Sequence, residues 1–263
     1  MPPRARPHDR RPRHSRFPRS ASRLRLFATD LDRTLLTPGE RPSAAARAAV
    51  RGARELGLKT LLVSGRRYRE LREYSHEFGE FDGIVAENGA LIEAPLGTTP
   101  VVIGRRTGAR VRDRLEADVS LPVEFGEVVA SVPREMRPRL RRAVAGLPVD
   151  LVANVGHVMV LPHGVTKASG TRRALRQLRI PGAGYAAIGD AENDLDLLRG
   201  AVLSGAVANA VPEVRGAADY LCRAPSATGV LEFVVGPLTA AMAPGANGRH
   251  RREPLRAIAA APR

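Results

Sequence analysis

The sequence has few of the residues that mark several common classes of protein. It holds a single cysteine, Cys222, which excludes an internal disulfide and a thiolate metal cluster and fits a reducing compartment. The apolar stretch over residues 230–244 is short and contains a Gly-Pro pair, so it does not predict a membrane span. Arg10-Arg11 superficially matches a twin-arginine export signal, but no apolar core follows it before Asp30. We therefore expect a cytoplasmic protein without a membrane segment.

Acidic residues are scarce at the two ends of the chain. The formal net charge is +15, of which residues 1–25 contribute +8 and residues 245–263 contribute +4. The ends are also rich in Arg, Pro, Ser and Gly, so we expect basic, disordered tails over 1–23 and 236–263. Two interpretations of the tails stay open, a weak electrostatic contact with nucleic acid or a solvated extension without a function of its own.

Between the tails, the pattern of apolar runs predicts an α/β fold. Short apolar runs at 26–29, 60–63 and 84–86 alternate with helical segments, which is typical of a parallel sheet with right-handed crossovers. Over residues 91–161 short strands mix with two helical stretches, which predicts an α+β insert. The strand–helix alternation returns near Lys167. We therefore predict one core, formed by 24–90 and 162–235, that is interrupted by an inserted domain at 91–161.

Polar residues cluster where the predicted core strands end. Asp30-Leu31-Asp32 follows the first strand, Ser64-Gly65 follows the second, and Gly189-Asp190 follows a later one, with Asn193 and Asp194 close behind. Asp30-Leu31-Asp32 alone decides nothing, because a second Asp-Leu-Asp occurs at 194–196 and aspartate also favours turns. The carboxyl ends of parallel strands share one sheet edge, however, so three clusters predict one site there.

Lysine is nearly absent, which draws attention to Lys167. Of the 42 Lys and Arg residues 40 are Arg, and the lysines are Lys59 and Lys167. Lysine offers a compact, point-like ammonium where arginine offers a planar fork. Lys167 also begins a predicted helix, where backbone amides and the helix dipole favour an anion. The converging residues therefore suit a hard cation and a phosphate.

Four segments, taken in order, carry a family resemblance. Asp30-Leu31-Asp32-Arg33-Thr34, Ser64-Gly65-Arg66, Gly164-Val165-Thr166-Lys167 and Gly189-Asp190-Ala191-Glu192-Asn193-Asp194 resemble the ordered motifs of the haloacid dehalogenase (HAD) superfamily. Their spacing and the position of the insert are similar to those of its Cof-type phosphatases, which include sucrose-phosphate, mannosyl-3-phosphoglycerate and archaeal phosphoglycolate phosphatases. The resemblance covers residues 24–235 and implies a Rossmann-like core with a C2-type cap.

The resemblance also implies a chemistry, the Mg²⁺-dependent hydrolysis of a small phosphorylated metabolite such as a sugar phosphate or phosphoglycolate. By it, Asp30 is the nucleophile that becomes an aspartyl-phosphate, and Asp32 is the general acid and base. The implied phosphate-binding residues are Ser64, Gly65, Lys167 and Asn193. The implied Mg²⁺ ligands are Asp30, Asp32 through its backbone carbonyl, Asp190 and, as a further ligand, Asp194.

Several questions stay open in the sequence. Arg33 stands where most relatives carry Gly, which puts the loop geometry or the substrate preference in doubt, unless Arg33 contacts an anionic substrate. Arg66 is a further candidate contact for a substrate anion or for the cap. His157 and His163 lack the spacing of a zinc pair on one helix. Glu87-Asn88-Gly89 suits either the substrate pocket or a plain turn.

The motifs do not separate a phosphatase from a phosphotransferase or phosphomutase of the same fold. A different alternative is a non-catalytic nucleic-acid-binding or regulatory protein that uses its basic tails, although the intact carboxylates argue against a disabled core. The sequence indicates neither the individual substrate nor the oligomeric state.

Overall fold

The computed structural model describes residues 24–37 and 39–243, so the predicted tail at 1–23 and most of the one at 236–263 lie outside the described residues. The described chain forms two sheets, one of eight strands and one of four. No helix among residues 24–37 and 39–243 is long and apolar enough to cross a membrane.

Strands and helices alternate along both parts of the predicted core. The strands are β1 (Leu24–Thr29), β2 (Lys59–Val63), β3 (Gly83–Ala86), β4 (Leu91–Glu93), β5 (Val101–Val102), β6 (Glu124–Phe125), β7 (Ala130–Pro133), β8 (Val149–Asn154), β9 (His157–Pro162), β10 (Gly184–Gly189), β11 (Leu203–Ala206) and β12 (Tyr220–Leu221). The α-helices are α1 (Ala44–Glu55), α2 (Tyr68–Phe78), α3 (Arg105–Glu116), α4 (Arg137–Ala143), α5 (Lys167–Gln177), α6 (Leu195–Gly200), α7 (Pro212–Ala217), α8 (Ser226–Phe233) and α9 (Thr239–Met242).

The larger sheet has the strand order β12-β11-β10-β1-β2-β3-β4-β5 and is parallel from β12 to β3. Strand β1 lies between β10 and β2, and its last residues are fully buried. This burial on both faces explains the uninterrupted apolar run that leads to Asp30. The α/β class of the core is therefore confirmed.

The smaller sheet, with the order β6-β7-β9-β8, is antiparallel and has two different faces. Val158 and Val160 of β9 point into a separate core that includes residues of α3 and α4. Met159 and Leu161 point the other way and pack into the main core. Because side chains alternate along a strand, one face of this sheet covers its own helices and the other faces the larger sheet.

Two boundaries differ from those expected. Strands β4 and β5 pair antiparallel with β3 and with each other, so residues 91–102 extend the larger sheet, although the sequence placed them in the insert. The short turn at 87–89 reverses the chain and makes this pairing possible. At the other end, residues 236–242 are helical and Leu238 is fully buried, although they were expected to begin a disordered tail.

Candidate active site

Three neighbouring strands of the larger sheet deliver the predicted residues to one edge. Asp30 directly follows β1, Ser64 follows β2 and Asp190 follows β10. The amide of Asp30 donates to the carbonyl of Ile188 in β10 at 3.1 Å, so the parallel pairing continues up to the site. All three residues line one cavity of about 220 Å³. The convergence that was inferred from the strand ends is therefore present.

Lys167 joins two of the acidic residues. Its Nζ donates to Asp30 Oδ1 and to Asp194 Oδ1, both at 2.6 Å, and its side chain is 1% exposed. Burial acts to lower the pKa of Lys167, but the two carboxylates outweigh it, so the pKa lies above its ordinary value and the ammonium stays charged. Buried charges of this kind are tolerated only when they are paired.

The start of helix α5 is held in place by its own cap and by a close backbone approach. Thr166 caps the helix by accepting from the amide of Ser169, and Ser169 Oγ accepts from the amide of Thr166. Gly89 lies against this cap, since a Cβ there would be 2.1 Å from the carbonyl oxygen of Thr166, and its φ is +105°. Glycine at 89 therefore lets the turn after β3 pack closely against the start of helix α5, where Lys167 lies.

Asp30, Asp190 and Asp194 form an oxygen-only cluster. One carboxylate oxygen from each lies within 4.8 Å of the others, and all three residues are buried. Among the described residues, no group donates a hydrogen bond to the second carboxylate oxygen of Asp30, which lines the cavity. Hard divalent cations prefer such carboxylate oxygens, so the cluster fits a divalent metal.

Asp194 differs from the other two carboxylates in how fully it is bonded. Its Oδ2 accepts from the amides of Asp190 and Ala191, both at 3.0 Å, while its Oδ1 accepts from Lys167. These three bonds hold the loop after β10 in position. Asp194 is therefore the member of the cluster with the least remaining capacity to bind a cation.

Asp190 is held by two side chains of the first motif. Thr34 Oγ1 donates to its Oδ1 at 3.1 Å, and Arg33 Nε donates to its Oδ2 at 2.9 Å. Burial and the neighbouring Asp194 raise the pKa of Asp190 to about 6, against the lowering effects of Lys167, Thr34 and Arg33.

Asp32 has a different environment from Asp30. Its carboxylate accepts from both Nε and Nη2 of Arg66, at 2.8 and 2.6 Å, and both side chains are partly exposed. The guanidinium of Arg66 also stacks over the ring of Tyr74, 4.9 Å from its centroid. The fork geometry of a bidentate pair fixes the orientation of the carboxylate. Arg66 was only a candidate contact for a substrate, and its pairing with Asp32 was not foreseen.

The predicted phosphate-binding residues border the same cavity. Ser64, Gly65, Lys167 and Asn193 all line it, and Ser64 Oγ accepts from the amide of Arg66 at 3.2 Å. Asn193 Nδ2 donates to Asn88 Oδ1 at 2.9 Å. Within the described part of the chain no donor contacts the buried Oδ1 of Asn193. Such an orphaned acceptor is usual where a ligand or water completes the site.

The smaller sheet closes the cavity from the other side. Ser131, Asn154, His157 and Met159 line it, and they come from β7, β8 and β9. His157 therefore lies at the cavity, whereas His163 is exposed and lies 3.0 Å from Asp150, so the two do not form a shared site. Side chains alternate between the two faces of a strand, and this pattern could have identified the lining residues. Its use requires knowing which face of each strand points to the cavity, and so the strand register.

Glu87 connects the two sheets, which the sequence did not reveal. Its carboxylate accepts from the backbone amides of Glu127, Val128 and Val129 at 2.8, 2.9 and 3.0 Å, and the residue is 1% exposed. Gly126 packs directly on this carboxylate, because a Cβ there would lie 2.5 Å from the carboxylate carbon. Glu192 makes a second connection through the amide of Val155 and the side chain of Arg134, both at 3.1 Å.

Comparisons with known proteins agree with this architecture. A family model described as haloacid dehalogenase-like hydrolase matches residues 27–100 and 151–234. The phosphoglycolate phosphatase of Methanothermobacter thermautotrophicus is 30% identical over 220 residues, covering 80% of this chain and 97% of that protein. The phosphoglycolate phosphatase of Metallosphaera sedula is 29% identical with the same coverage.

Solved structures share the fold at lower identity. A haloacid dehalogenase-like hydrolase from B. subtilis has a TM-score of 0.67 at 17% identity, covering 81% of this chain and 99% of that one. A sugar phosphatase of HAD subclass IIB has a TM-score of 0.62 at 18% identity, covering 75% and 93%. With the family match over both halves of the core, these findings show that the chain belongs to the haloacid dehalogenase-like hydrolases, with a Cof-type arrangement of core and cap.

Proposed function

We propose that this enzyme is a Mg²⁺-dependent phosphatase that hydrolyses a small phosphorylated metabolite through an aspartyl-phosphate at Asp30. Phosphatase chemistry on a small phosphorylated substrate follows from the family and from its phosphoglycolate phosphatase relatives. The identity of the metal, the aspartyl-phosphate intermediate and the role of each residue go beyond the family and are proposed here. The observation that carries it is the buried Lys167, which bridges Asp30 and Asp194 beside a cavity that Asp190 also lines.

In the first step, Asp30 supplies the nucleophile. Its second carboxylate oxygen forms a bond to phosphorus while the bond from phosphorus to the ester oxygen breaks. Burial raises the pKa of Asp30, and the ammonium of Lys167 acts against that rise, so it favours the ionised nucleophile and can also contact the phosphoryl oxygens. Ser64 and the backbone at Gly65 border the same space and suit hydrogen bonds to those oxygens.

Asp32 is proposed to move the protons. It gives a proton to the departing ester oxygen and then takes one from the water that attacks phosphorus and releases Asp30. In the arrangement observed, both carboxylate oxygens of Asp32 accept hydrogen bonds from Arg66, so neither is free to give a proton to the ester oxygen. We therefore propose that Arg66 turns from Asp32 to the phosphate when substrate enters, because the dianion competes for the guanidinium.

The residues at the site fit a divalent cation, since three buried carboxylates place oxygens within 4.8 Å of one another. Asp30 and Asp190 would hold it, with the Asp32 carbonyl and Asp194 as further candidates. When bound, Mg²⁺ would offset the repulsion between a carboxylate and a phosphate dianion. Mg²⁺ is the cation proposed, because it suits a ligand shell of oxygens only with few carboxylates.

The size of the cavity supports a small substrate. About 220 Å³ is below the usual range for sites that take drug-sized ligands, and it agrees with a phosphoglycolate-like or small sugar phosphate. Ser131, Asn154 and His157 place polar groups on the side of the cavity opposite Asp30. We propose that they contact the leaving group and so set the substrate preference.

Release of phosphate from a panel of esters tests the proposal. The panel contains phosphoglycolate, sugar phosphates, nucleotides and a generic aryl phosphate, each with and without Mg²⁺. Asp30→Asn is expected to abolish turnover. Asp196→Asn, from the second Asp-Leu-Asp, is the matched control because Asp196 is exposed, and it is expected to stay active. No Mg²⁺-dependent turnover of any ester by the unmodified enzyme would refute the proposal.

The phosphotransferase or phosphomutase alternative is resolved by the same assay. A phosphatase releases inorganic phosphate in proportion to the ester consumed. A transferase converts the ester without equivalent phosphate release and yields a phosphorylated acceptor. The basic tails, which suggested a nucleic-acid-binding function, lie outside the described residues.

A further inference from the structure

Arg33 occupies a backbone conformation that suits glycine better than arginine. Its φ is +62°, in the left-handed region that most side chains avoid. The backbone of Arg33 is held by hydrogen bonds, since its amide donates to the Leu36 carbonyl at 2.7 Å and its carbonyl accepts from Asn209 Nδ2 at 2.8 Å. Ser226 Oγ donates to the same carbonyl at 3.3 Å. The loop therefore keeps its geometry although position 33 is not glycine.

The side chain of Arg33 reaches the acidic cluster. Its Nε donates to Asp190 Oδ2 at 2.9 Å, and its Nη2 donates to the backbone carbonyl of Asn209 at 3.1 Å. The side chain of Asp190 is 1% exposed, whereas that of Arg33 is 38% exposed. One end of the guanidinium thus lies on a carboxylate of the cluster, while part of the side chain stays in contact with solvent.

The charges around the cluster show what this contact does. Asp30, Asp190 and Asp194 supply three carboxyl groups, and Lys167 supplies one positive charge that the two bonds of 2.6 Å hold in place. Arg33 adds a second positive charge directly on Asp190. The cluster with Arg33 is therefore one charge less attractive to a cation than the same cluster with glycine at this position.

We propose that Arg33 is a built-in counter-cation that competes with the divalent metal for Asp190 and so weakens metal binding in the phosphate-free enzyme. The proposal rests on the proposed function for the identity of the metal, but its central element is a contact between two residues of the chain. Because the Arg33 side chain is 38% exposed, it has room to withdraw from Asp190 into solvent when a metal binds. A phosphate dianion that enters the site brings negative charge that offsets the positive charge of Arg33. We therefore expect phosphate to strengthen metal binding more in the enzyme with Arg33 than in one with glycine at this position.

Calorimetric titration of the full-length protein with MgCl₂, without and with inorganic phosphate, tests this inference. Arg33→Gly keeps the positive φ without a side chain, and Arg33→Lys retains the charge but loses the fork. Arg67→Ala is the control, because Arg67 also lines the cavity but its side-chain contact is with Glu70. A neighbouring charge that is only partly screened leads us to expect Mg²⁺ binding about tenfold or more tighter in Arg33→Gly, little changed in Arg67→Ala and intermediate in Arg33→Lys.

Equal or weaker Mg²⁺ binding by Arg33→Gly would overturn the inference, as would a gain of the same size in Arg67→Ala. Phosphate is expected to tighten Mg²⁺ binding more in the unmodified enzyme than in Arg33→Gly, and an equal effect would also count against the inference. The proposed function is judged separately by phosphate release. Tighter binding in Arg33→Gly without turnover of any ester supports the inference and refutes the function, whereas turnover with unchanged binding does the reverse.

Discussion

Glu87 offers the sharpest prediction about how the two sheets stay together. Its buried carboxylate accepts three backbone amides from residues 127–129, which lie just before β7 of the smaller sheet. Glu87→Gln keeps the shape of the side chain but replaces one oxygen with an amide that can only donate. We expect the smaller sheet of this variant to open more readily over the cavity.

The magnitude follows from the pattern of acceptors. Oε1 accepts from Glu127, whereas Oε2 accepts from both Val128 and Val129. Glutamine can place its oxygen at the second position, so two bonds lose their charge and the Glu127 amide loses its partner. Hydrogen bonds to charged groups are worth about 1.5–3 kcal/mol and neutral ones about 0.5–1.5 kcal/mol. The neutral amide of glutamine also costs less to bury than the carboxylate, which offsets part of the loss. We therefore expect the closed arrangement to lose about 2 kcal/mol of stability.

Hydrogen exchange followed by mass spectrometry measures this loss where it occurs. A local loss of about 2 kcal/mol corresponds to roughly 30-fold faster exchange of the amides at 127–129. Glu127→Gln is the matched control, because it makes the same charge change at an exposed side chain of the loop whose amides are measured. KM for the substrate is expected to rise in Glu87→Gln because the closed cavity is less populated.

The reasoning would be refuted by equal exchange at 127–129 in the two variants. Gly126→Ala provides an independent check from the opposite side, since its Cβ would displace the same carboxylate. It should therefore accelerate exchange at the same amides as Glu87→Gln does.

Three further predictions concern single residues. Arg66→Lys keeps the charge but loses the fork that is proposed to turn from Asp32 to the substrate phosphate, so steady-state assays should show kcat lowered at least about tenfold, and unchanged kcat would exclude that role. Urea denaturation of the same variant should show a loss of under about 1 kcal/mol, because the Arg66–Asp32 pair is partly exposed. Lys167→Ala leaves two buried carboxylates without their cation, and denaturation of the metal-free protein should show a loss of about 3–5 kcal/mol; unchanged stability would contradict the buried pairing. Burial, with Glu232 nearby, raises the pKa of Cys222 to about 12, so a thiol reagent should fail to label the folded protein at pH 8 and should react fully in urea. Since the folded thiol keeps its proton while the unfolded one loses it, unfolding should become easier as the pH rises above about 9, and rapid labelling of the folded protein would contradict this.

Much of the core could be predicted because local pattern and burial agree there. The apolar run before Asp30 is a central strand, and Lys167 begins a helix, as expected. Adjacency of β10, β1 and β2 then brings Asp190, Asp30 and Ser64 together. The rule that parallel strands end at one edge needs no knowledge of side-chain packing, which is why sequence reasoning located these residues.

The boundaries and the contacts between the two sheets could not be predicted in this way. Residues 91–93 form a short strand whose place in the larger sheet depends on a reversal at Glu87 and Asn88, both with positive φ. Asn88-Gly89 does mark a turn, but a turn signal does not tell whether the strand that follows returns to the same sheet or begins the insert. Glu87 acts between the two sheets and Arg66 acts between two motifs of the core, and the partner of each lies far away in the sequence.

Arg33 has contacts that the sequence did not predict. The sequence suggested an altered loop or a contact with an anionic substrate. The structure shows the loop geometry maintained by Asn209 and Ser226 and the guanidinium on Asp190. No sequence pattern pairs positions 33 and 190, because the contact depends on how two strand-end loops meet.

The central claim is that Asp30 carries the phosphoryl group during turnover. Acid quenching during steady-state hydrolysis, followed by borohydride reduction and peptide mass spectrometry, converts an aspartyl-phosphate to homoserine at the position that held it. Asp32→Asn is measured beside the unmodified enzyme with the aryl phosphate, whose leaving group departs without a general acid, since loss of the base that activates water should then allow the intermediate to accumulate. The account predicts homoserine at position 30 in at least the Asp32→Asn protein. Homoserine at another position, or none in either protein while phosphate release continues, would contradict it.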